Sequence, residues 1–115
     1  MNIDNNLAQM RKGVLELCIL NIIATDADDE CYASEILARL KNTELIVVEG
    51  TLYPILTRLK NDGFLSYQWV ESTGGPPRKY YKLTKLGEKF HEQLAEVWSG
   101  LIKSVEQTTK KERRK

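Results

Sequence analysis

Glu49-Gly50-Thr51-Leu52-Tyr53-Pro54-Ile55-Leu56-Thr57-Arg58-Leu59-Lys60-Asn61-Asp62-Gly63 carries apolar residues at 52, 55, 56 and 59. That i, i+3, i+4, i+7 spacing lines one side of a 3.6-residue helix and leaves the rest polar. It predicts a helix over about Glu49 to Asp62, with Gly63 as its left-handed stop. Pro54 would damage a helix interior, so it is placed in the first turn, where its missing N–H has no intrahelical acceptor. The start is then expected close to Gly50 or Thr51. With Leu52, Ile55, Leu56 and Leu59 turned to a core, Thr51, Tyr53, Pro54, Thr57, Arg58 and Lys60 are left facing outward.

Downstream, Phe64 to Glu71 alternates, with Leu65, Tyr67 and Trp69 on one side and Ser66, Gln68 and Val70 on the other, as a strand does. Ser72-Thr73-Gly74-Gly75-Pro76-Pro77 reads as a turn or exposed loop, and Arg78 to Leu83 as the returning strand of a hairpin. Arg78 and Lys79 then stand at the exit of a protruding tip, where a fold-stabilising role is hard to find. Tyr80 and Tyr81 alternate across that strand, so one faces the core and the other the surface. Thr84 caps a last helix in which Leu86, Phe90, Leu94, Val97, Trp98, Leu101, Ile102 and Val105 recur by threes and fours. That stripe is too long for so small a domain to cover.

Upstream, Leu7, Met10, Val14, Leu17, Cys18, Leu20, Ile22 and Ile23 mark a first helix, with Asp4 or Asn5 as its N-cap. A polar loop, Thr25 to Glu30, ends it. A short second helix follows over about Ala33 to Lys41, with Ile36, Leu37 and Leu40 on one face and Ser34 or a neighbour as cap. Leu45 to Val48 is β-branched and apolar, and an extended, partly buried connector is expected there. The 110–115 tail is nearly all charge and is expected to fray.

The 115 residues, 42% apolar and 29% charged, suit one globular domain that oligomerisation would help. Val14 to Ala24, the longest apolar stretch, is broken by Glu16 and Asn21 and falls short of a span of about 20 residues. With no cationic leader at the start, a cytoplasmic protein without membrane contact is expected. Cys18, Cys31 and the single histidine, His91, form no metal-ligand spacing, so two reduced thiols are expected, with no metal and no cofactor. No nucleophile, base and metal ligand assemble, which argues against an enzyme. The 17 basic and 16 acidic residues nearly cancel, yet they are segregated. Asp26, Asp28, Asp29 and Glu30 are clustered, whereas Arg58, Lys60, Arg78, Lys79, Lys82, Lys85 and Lys89 make the later chain basic. One cationic face on a neutral molecule is what a phosphate-backbone partner requires.

Three helices and then a hairpin is the order of a winged helix-turn-helix, so the fold expected is mainly α with a small β-hairpin (α+β). Residues 1–83 would form the DNA-binding domain, 84–108 a C-terminal dimerisation helix and 109–115 a charged tail. In such a fold the third helix enters the major groove of double-stranded DNA. Arg58 suits a guanine edge or a phosphate, the Thr51 and Tyr53 hydroxyls suit phosphates, and Pro54 or Thr57 a thymine methyl. A winged-helix protein-interaction module without DNA binding is the alternative, and Arg58, Lys60, Arg78 and Lys79 speak against it.

The segments Glu49 to Leu59, Asp62-Gly63-Phe64-Leu65 and Gly75-Pro76-Pro77-Arg78-Lys79-Tyr80-Tyr81-Lys82-Leu83-Thr84 resemble the core pattern of PadR transcriptional regulators. The likeness spans roughly Gly13 to Gly87, and the single C-terminal helix is similar to the smaller PadR subfamily. The resemblance implies a homodimeric repressor on a pseudo-palindromic operator, with the first and last helices making the dimer. The stripe Phe90, Leu94, Val97, Trp98, Leu101, Ile102 and Val105 independently asks for a partner helix. In some relatives a tryptophan of the last helix stacks on planar apolar or cationic compounds at the dimer centre. Trp98 stands at the matching place, so a small aromatic or cationic effector is implied there, with plain interface packing as the other reading.

Overall fold

A computed structural model describes residues 2–26 and 30–111. Its elements are α1 (Asp4–Thr25), β1 (Glu30–Tyr32), α2 (Ala33–Leu40), α3 (Glu49–Asn61), β2 (Leu65–Ser72), β3 (Gly75–Leu83) and α4 (Lys85–Thr108). The fold is mainly helical, with a small antiparallel sheet and a long last helix. Asp28, Asp29, the Glu30 side chain and the tail beyond 111 lie outside the described residues.

Periodicity and burial coincide in the core. Ile19, Leu20 and Ile23 of α1, Ile36 of α2, and Leu52, Leu56 and Leu59 of α3 are fully buried around Leu65, Tyr81 and Leu83 of the sheet. Each such side chain contributes roughly 1.5–3 kcal/mol through removal from water. Tyr81 is therefore the inward tyrosine of the wing, while Tyr80 lies against Tyr32 with ring centroids 4.3 Å apart.

The sheet has three strands, ordered β1-β3-β2, where a two-stranded hairpin is expected. Cys31 and Tyr32 sit opposite Tyr81 and Tyr80 of β3. A three-residue strand is too short to display alternation, which is why it reads as loop. The turn between β2 and β3 is also tighter than expected. Thr73 and Gly74 make it, with Gly74 at φ +78°, while Gly75, Pro76 and Pro77 already belong to β3. Both prolines lie beyond Tyr32, where β1 no longer runs beside β3, so their missing N–H groups break no β1 pairing.

Pro54 is the sixth residue of α3, not a first-turn residue, because the helix begins at Glu49 with extended Val48 as its N-cap. The Gly50 carbonyl loses its i+4 donor, and its exposure lets water replace it. At the other end Gly63 takes φ +86°. Phe64 N–H donates to the Leu59 carbonyl at 2.9 Å and Gly63 N–H to that of Lys60 at 3.0 Å, the two bonds of a Schellman stop. Neither expected cap of α1 operates. Its N-cap is Ile3, and Asn2 Oδ1 accepts from Asp4 N–H at 3.0 Å. Tyr32 rather than Ser34 caps α2, its N–H donating to Glu35 Oε1 at 3.4 Å. In the connector, Leu45 and Val47 are half-buried and Ile46 and Val48 exposed, without a strand.

The last helix is held at its first turn. Thr84 Oγ1 accepts from Gly87 N–H at 2.9 Å and donates to the Gly63 carbonyl at 2.6 Å, and Thr84 N–H donates to the Phe64 carbonyl at 3.1 Å. A Cβ on Gly87 would overlap that Phe64 carbonyl. Phe90 stacks on Phe64 with centroids 4.0 Å apart, and His91 Nε2 lies 2.6 Å from Asn21 Oδ1 of α1. Leu94 also packs partly on the core, but beyond it every residue of α4 is exposed. The molecule accordingly extends 70 × 36 × 23 Å.

Two outcomes follow from this packing. Gly87→Ala must push α4 off the Phe64 backbone and should cost roughly 1–3 kcal/mol. That lowers a melting midpoint followed by circular dichroism by roughly 4–8 °C per kcal/mol, and an unchanged midpoint contradicts the contact. Burial, reinforced by the Asp26 and Glu35 carboxylates and opposed by Arg39, pushes the Cys31 thiol up to about 12. It therefore stays neutral at pH 8. Maleimide at that pH should label Cys31 only after denaturation, and rapid labelling of the folded protein contradicts the placement.

Candidate nucleic-acid interface

Turning by about 100° per residue, α3 aligns Gly50, Pro54, Thr57 and Asn61 along the line opposite its buried stripe. All four are exposed. This outermost line carries no charge. Cations flank it: Arg58 lies on the side toward α1, and Lys60 with Tyr53 on the side toward the sheet. From Gly50 to Asn61 there is no carboxylate.

On the α1 side, Arg58 Nη2 lies 3.2 Å from Glu16 Oε2 in a partly exposed ion pair. Arg58 and Thr51 share a groove with Arg11 and Lys12 of α1. The side chain expected to point straight out is thus tied back toward α1. On the sheet side, Tyr53 borders a notch of ≈ 390 Å³ also lined by Tyr32, Ser34, Trp69, Arg78 and Lys79. Tyr81 lines the same notch and lies 5.8 Å from Tyr67 between ring centroids; burial pushes its hydroxyl above its ordinary range, with Tyr53 and Tyr67 adding to the effect.

Arg78 and Lys79 do not sit at the hairpin tip. They pair with Val70 and Trp69, well below the Thr73-Gly74 turn, and being consecutive they project to opposite faces. The Arg78 guanidinium lies 5.7 Å from the Tyr32 ring centroid. Lys79 Nζ lies 4.5 Å from that of Tyr67 and 5.4 Å from that of Trp69. Both cations therefore have aromatic partners within the chain, where a fold-stabilising role was expected to be hard to find. Lys60 Nζ reaches the same Tyr67 ring at 5.9 Å, so that ring stands between helix and wing.

Of the outward α3 residues expected from sequence, Thr51, Tyr53, Pro54, Thr57, Arg58 and Lys60 are all exposed. Gly50 and Asn61 were not among them, although the helical projection alone brings them into line. Arg11, Lys12 and Tyr32 reach this surface only through tertiary packing, for which the sequence carries no local signal.

A second surface lies on α4. Val97, Trp98, Leu101, Ile102 and Val105 are exposed, Leu101 by 52% and Val105 by 62%. With Met10, Gly13, Val14 and Leu17 of α1, several of them line an apolar groove of ≈ 610 Å³. Phe90 and Leu94, expected on the same stripe, pack partly against their own core, and Leu94 also lines the groove. Among the described residues no group of His, Cys, Asp or Glu is arranged to hold a metal ion, and no helix is long and apolar enough to cross a membrane.

Residues 19–93 match the model of the transcriptional regulator PadR-like family. A PadR-like transcription factor from Bacteroides fragilis is 56% identical, with 90% of this chain and 98% of that one covered and a TM-score of 0.74. A PadR-like transcriptional regulator from Bacillus cereus is 34% identical over 90% of this chain and 99% of its own, with a TM-score of 0.76. A PadR family regulator from Eggerthella lenta, 24% identical over 96% and 94% of the two chains, shares the fold with a TM-score of 0.82. A helical, winged architecture with a family match that runs from the end of α1 through α2, α3 and the wing into α4 makes this chain a member of the PadR-like family of transcriptional regulators, which are not enzymes.

Proposed function

We propose that two copies of this chain bind duplex DNA and repress transcription from a pseudo-palindromic operator. The observation that carries the reading is the neutral outer line of α3, free of carboxylates and flanked by Arg58 and Lys60, beside a wing bearing Arg78 and Lys79. Such a helix can enter a major groove while the flanking cations neutralise the phosphates on either side. Thr51, Tyr53, Pro54 and Thr57 complete the proposed contact set. The Arg58–Glu16 pair is no obstacle, because a part-exposed ion pair contributes only about 0–1 kcal/mol and a phosphate can take Glu16's place.

In this reading residues 1–83 bind DNA and 84–108 make the dimer. Val97, Trp98, Leu101, Ile102 and Val105 would pack across a two-fold axis, with Phe90 and Leu94 bracing the helix from below. The exposed apolar stripe, continuous with the α1 groove, supports this, since such a surface is seldom left in water. A planar aromatic or cationic effector is proposed for the same groove. Stacking on Trp98, it would change the angle between the paired α4 helices and hence the spacing of the two α3 helices.

Selection from a random duplex pool should return two half-sites about 34–36 Å apart, or a multiple of that spacing. Failure to retain any duplex in dilute buffer would overturn the reading. Changing Arg78 and Lys79 together to Ala should weaken binding to all sequences and make the slope of log affinity against log salt shallower by about 1.8. Changing Thr57 or Arg58 should also alter sequence preference. Leu101→Glu with Val105→Glu should convert a dimer to a monomer in sedimentation velocity and weaken operator binding, whereas a monomeric parent protein would remove α4 from the scheme.

A further inference from the structure

Trp69 is 62% exposed in the middle of the wing, and neither the core nor the expected contact set explains it. Its neighbours do. Trp69 stands directly opposite Lys79 across the β2–β3 ladder, two positions along the strand from Tyr67, with the two rings edge to face at 6.1 Å. Lys79 Nζ is within cation–π reach of both rings, 4.5 Å from Tyr67 and 5.4 Å from Trp69. The ion pairs found, Arg39–Asp26 and Arg58–Glu16, leave Lys79 without a carboxylate among the described residues. Its ammonium is thus held by two ring faces that leave its positive charge unneutralised.

We propose that Trp69 is a positioning residue. With Tyr67 it forms a cradle that fixes the Lys79 ammonium beside α3, so that it meets a backbone phosphate already in place. The inference rests on the DNA-binding reading above and adds to it a residue that does not touch the nucleic acid. A free lysine loses considerable rotamer freedom when it binds, and a lysine ordered beforehand avoids that loss. Tyr67 also faces Lys60 of α3, at 5.9 Å, so the cradle spans the wing and the helix. Tyr81, 5.8 Å from Tyr67, anchors it to the core.

The test measures binding of a labelled random-sequence duplex at several potassium chloride concentrations for Trp69→Leu, Trp69→Phe, Lys79→Ala and the Trp69→Leu/Lys79→Ala double variant. Trp69→Leu should melt like the parent, because the side chain is largely exposed, yet bind about threefold to tenfold more weakly. Its salt slope should move toward that of Lys79→Ala. Trp69→Phe, which keeps a ring face, should recover most of the affinity. In the Lys79→Ala background, Trp69→Leu should cost nothing more. If Lys79→Ala weakens binding but Trp69→Leu does not, the positioning role is wrong and DNA binding by the wing stands. An equal loss from Trp69→Leu in both backgrounds means that the indole touches DNA itself, which also overturns it. If Lys79→Ala binds like the parent, the reading of the wing fails and takes the cradle with it.

Discussion

The Phe64 carbonyl, where α3, the wing and α4 meet, is the point on which the rest of the arrangement depends. It accepts from Thr84 N–H, lies in the space that a side chain on Gly87 would need, and belongs to the residue that stacks on Phe90. One residue earlier, Gly63 closes α3 and receives the Thr84 hydroxyl. The exit of α3, the residues flanking the hairpin and the start of the last helix are thereby joined within a few residues. A shift at that joint would alter the wing and the α4 stripe together. Phe64 pairs backbone contacts with a ring stack, so the direction of α4 is set before its exposed half begins.

How far the sequence could be read depended on the length of each pattern. Leu52, Ile55, Leu56 and Leu59 repeat over two turns, and Thr84 with Gly63 mark boundaries by chemistry that acts locally, so α3, its stop and the α4 cap were legible. Cys31-Tyr32 was not, because its strand exists through pairing with Tyr80 and Tyr81, 48 and 50 residues further along the chain. Pro54 misled for a related reason. A proline's penalty points to the first turn, but burial of Leu52 and Leu56 outweighs one lost hydrogen bond on an exposed face and starts the helix earlier.

The proposed contact surface shows the same division. That Thr51, Tyr53, Pro54, Thr57, Arg58 and Lys60 of α3 face outward follows from helical geometry and was legible, whereas Gly50 and Asn61 on the outermost line were passed over. Where their charges rest did not follow. Arg58 leans on Glu16, Arg78 on Tyr32 and Lys79 on Tyr67 and Trp69, and each partner comes from another element or strand. Charge alone marks a cationic face, but only the packed structure shows that its side chains have defined positions rather than free ends.

The short first strand and the proline pair together have a consequence for self-association. Because β1 stops at Tyr32, the margin of β3 beyond Tyr80 is open on that side, and an open strand margin is a template on which another chain can add. Pro76 and Pro77 occupy that stretch and offer no N–H to a newcomer. The bulge between Val70 and Ser72 interrupts the regular ladder at the same end of the hairpin. That margin of β3 is therefore blunted against strand addition, and β2, the other edge of the sheet, is interrupted only by the bulge.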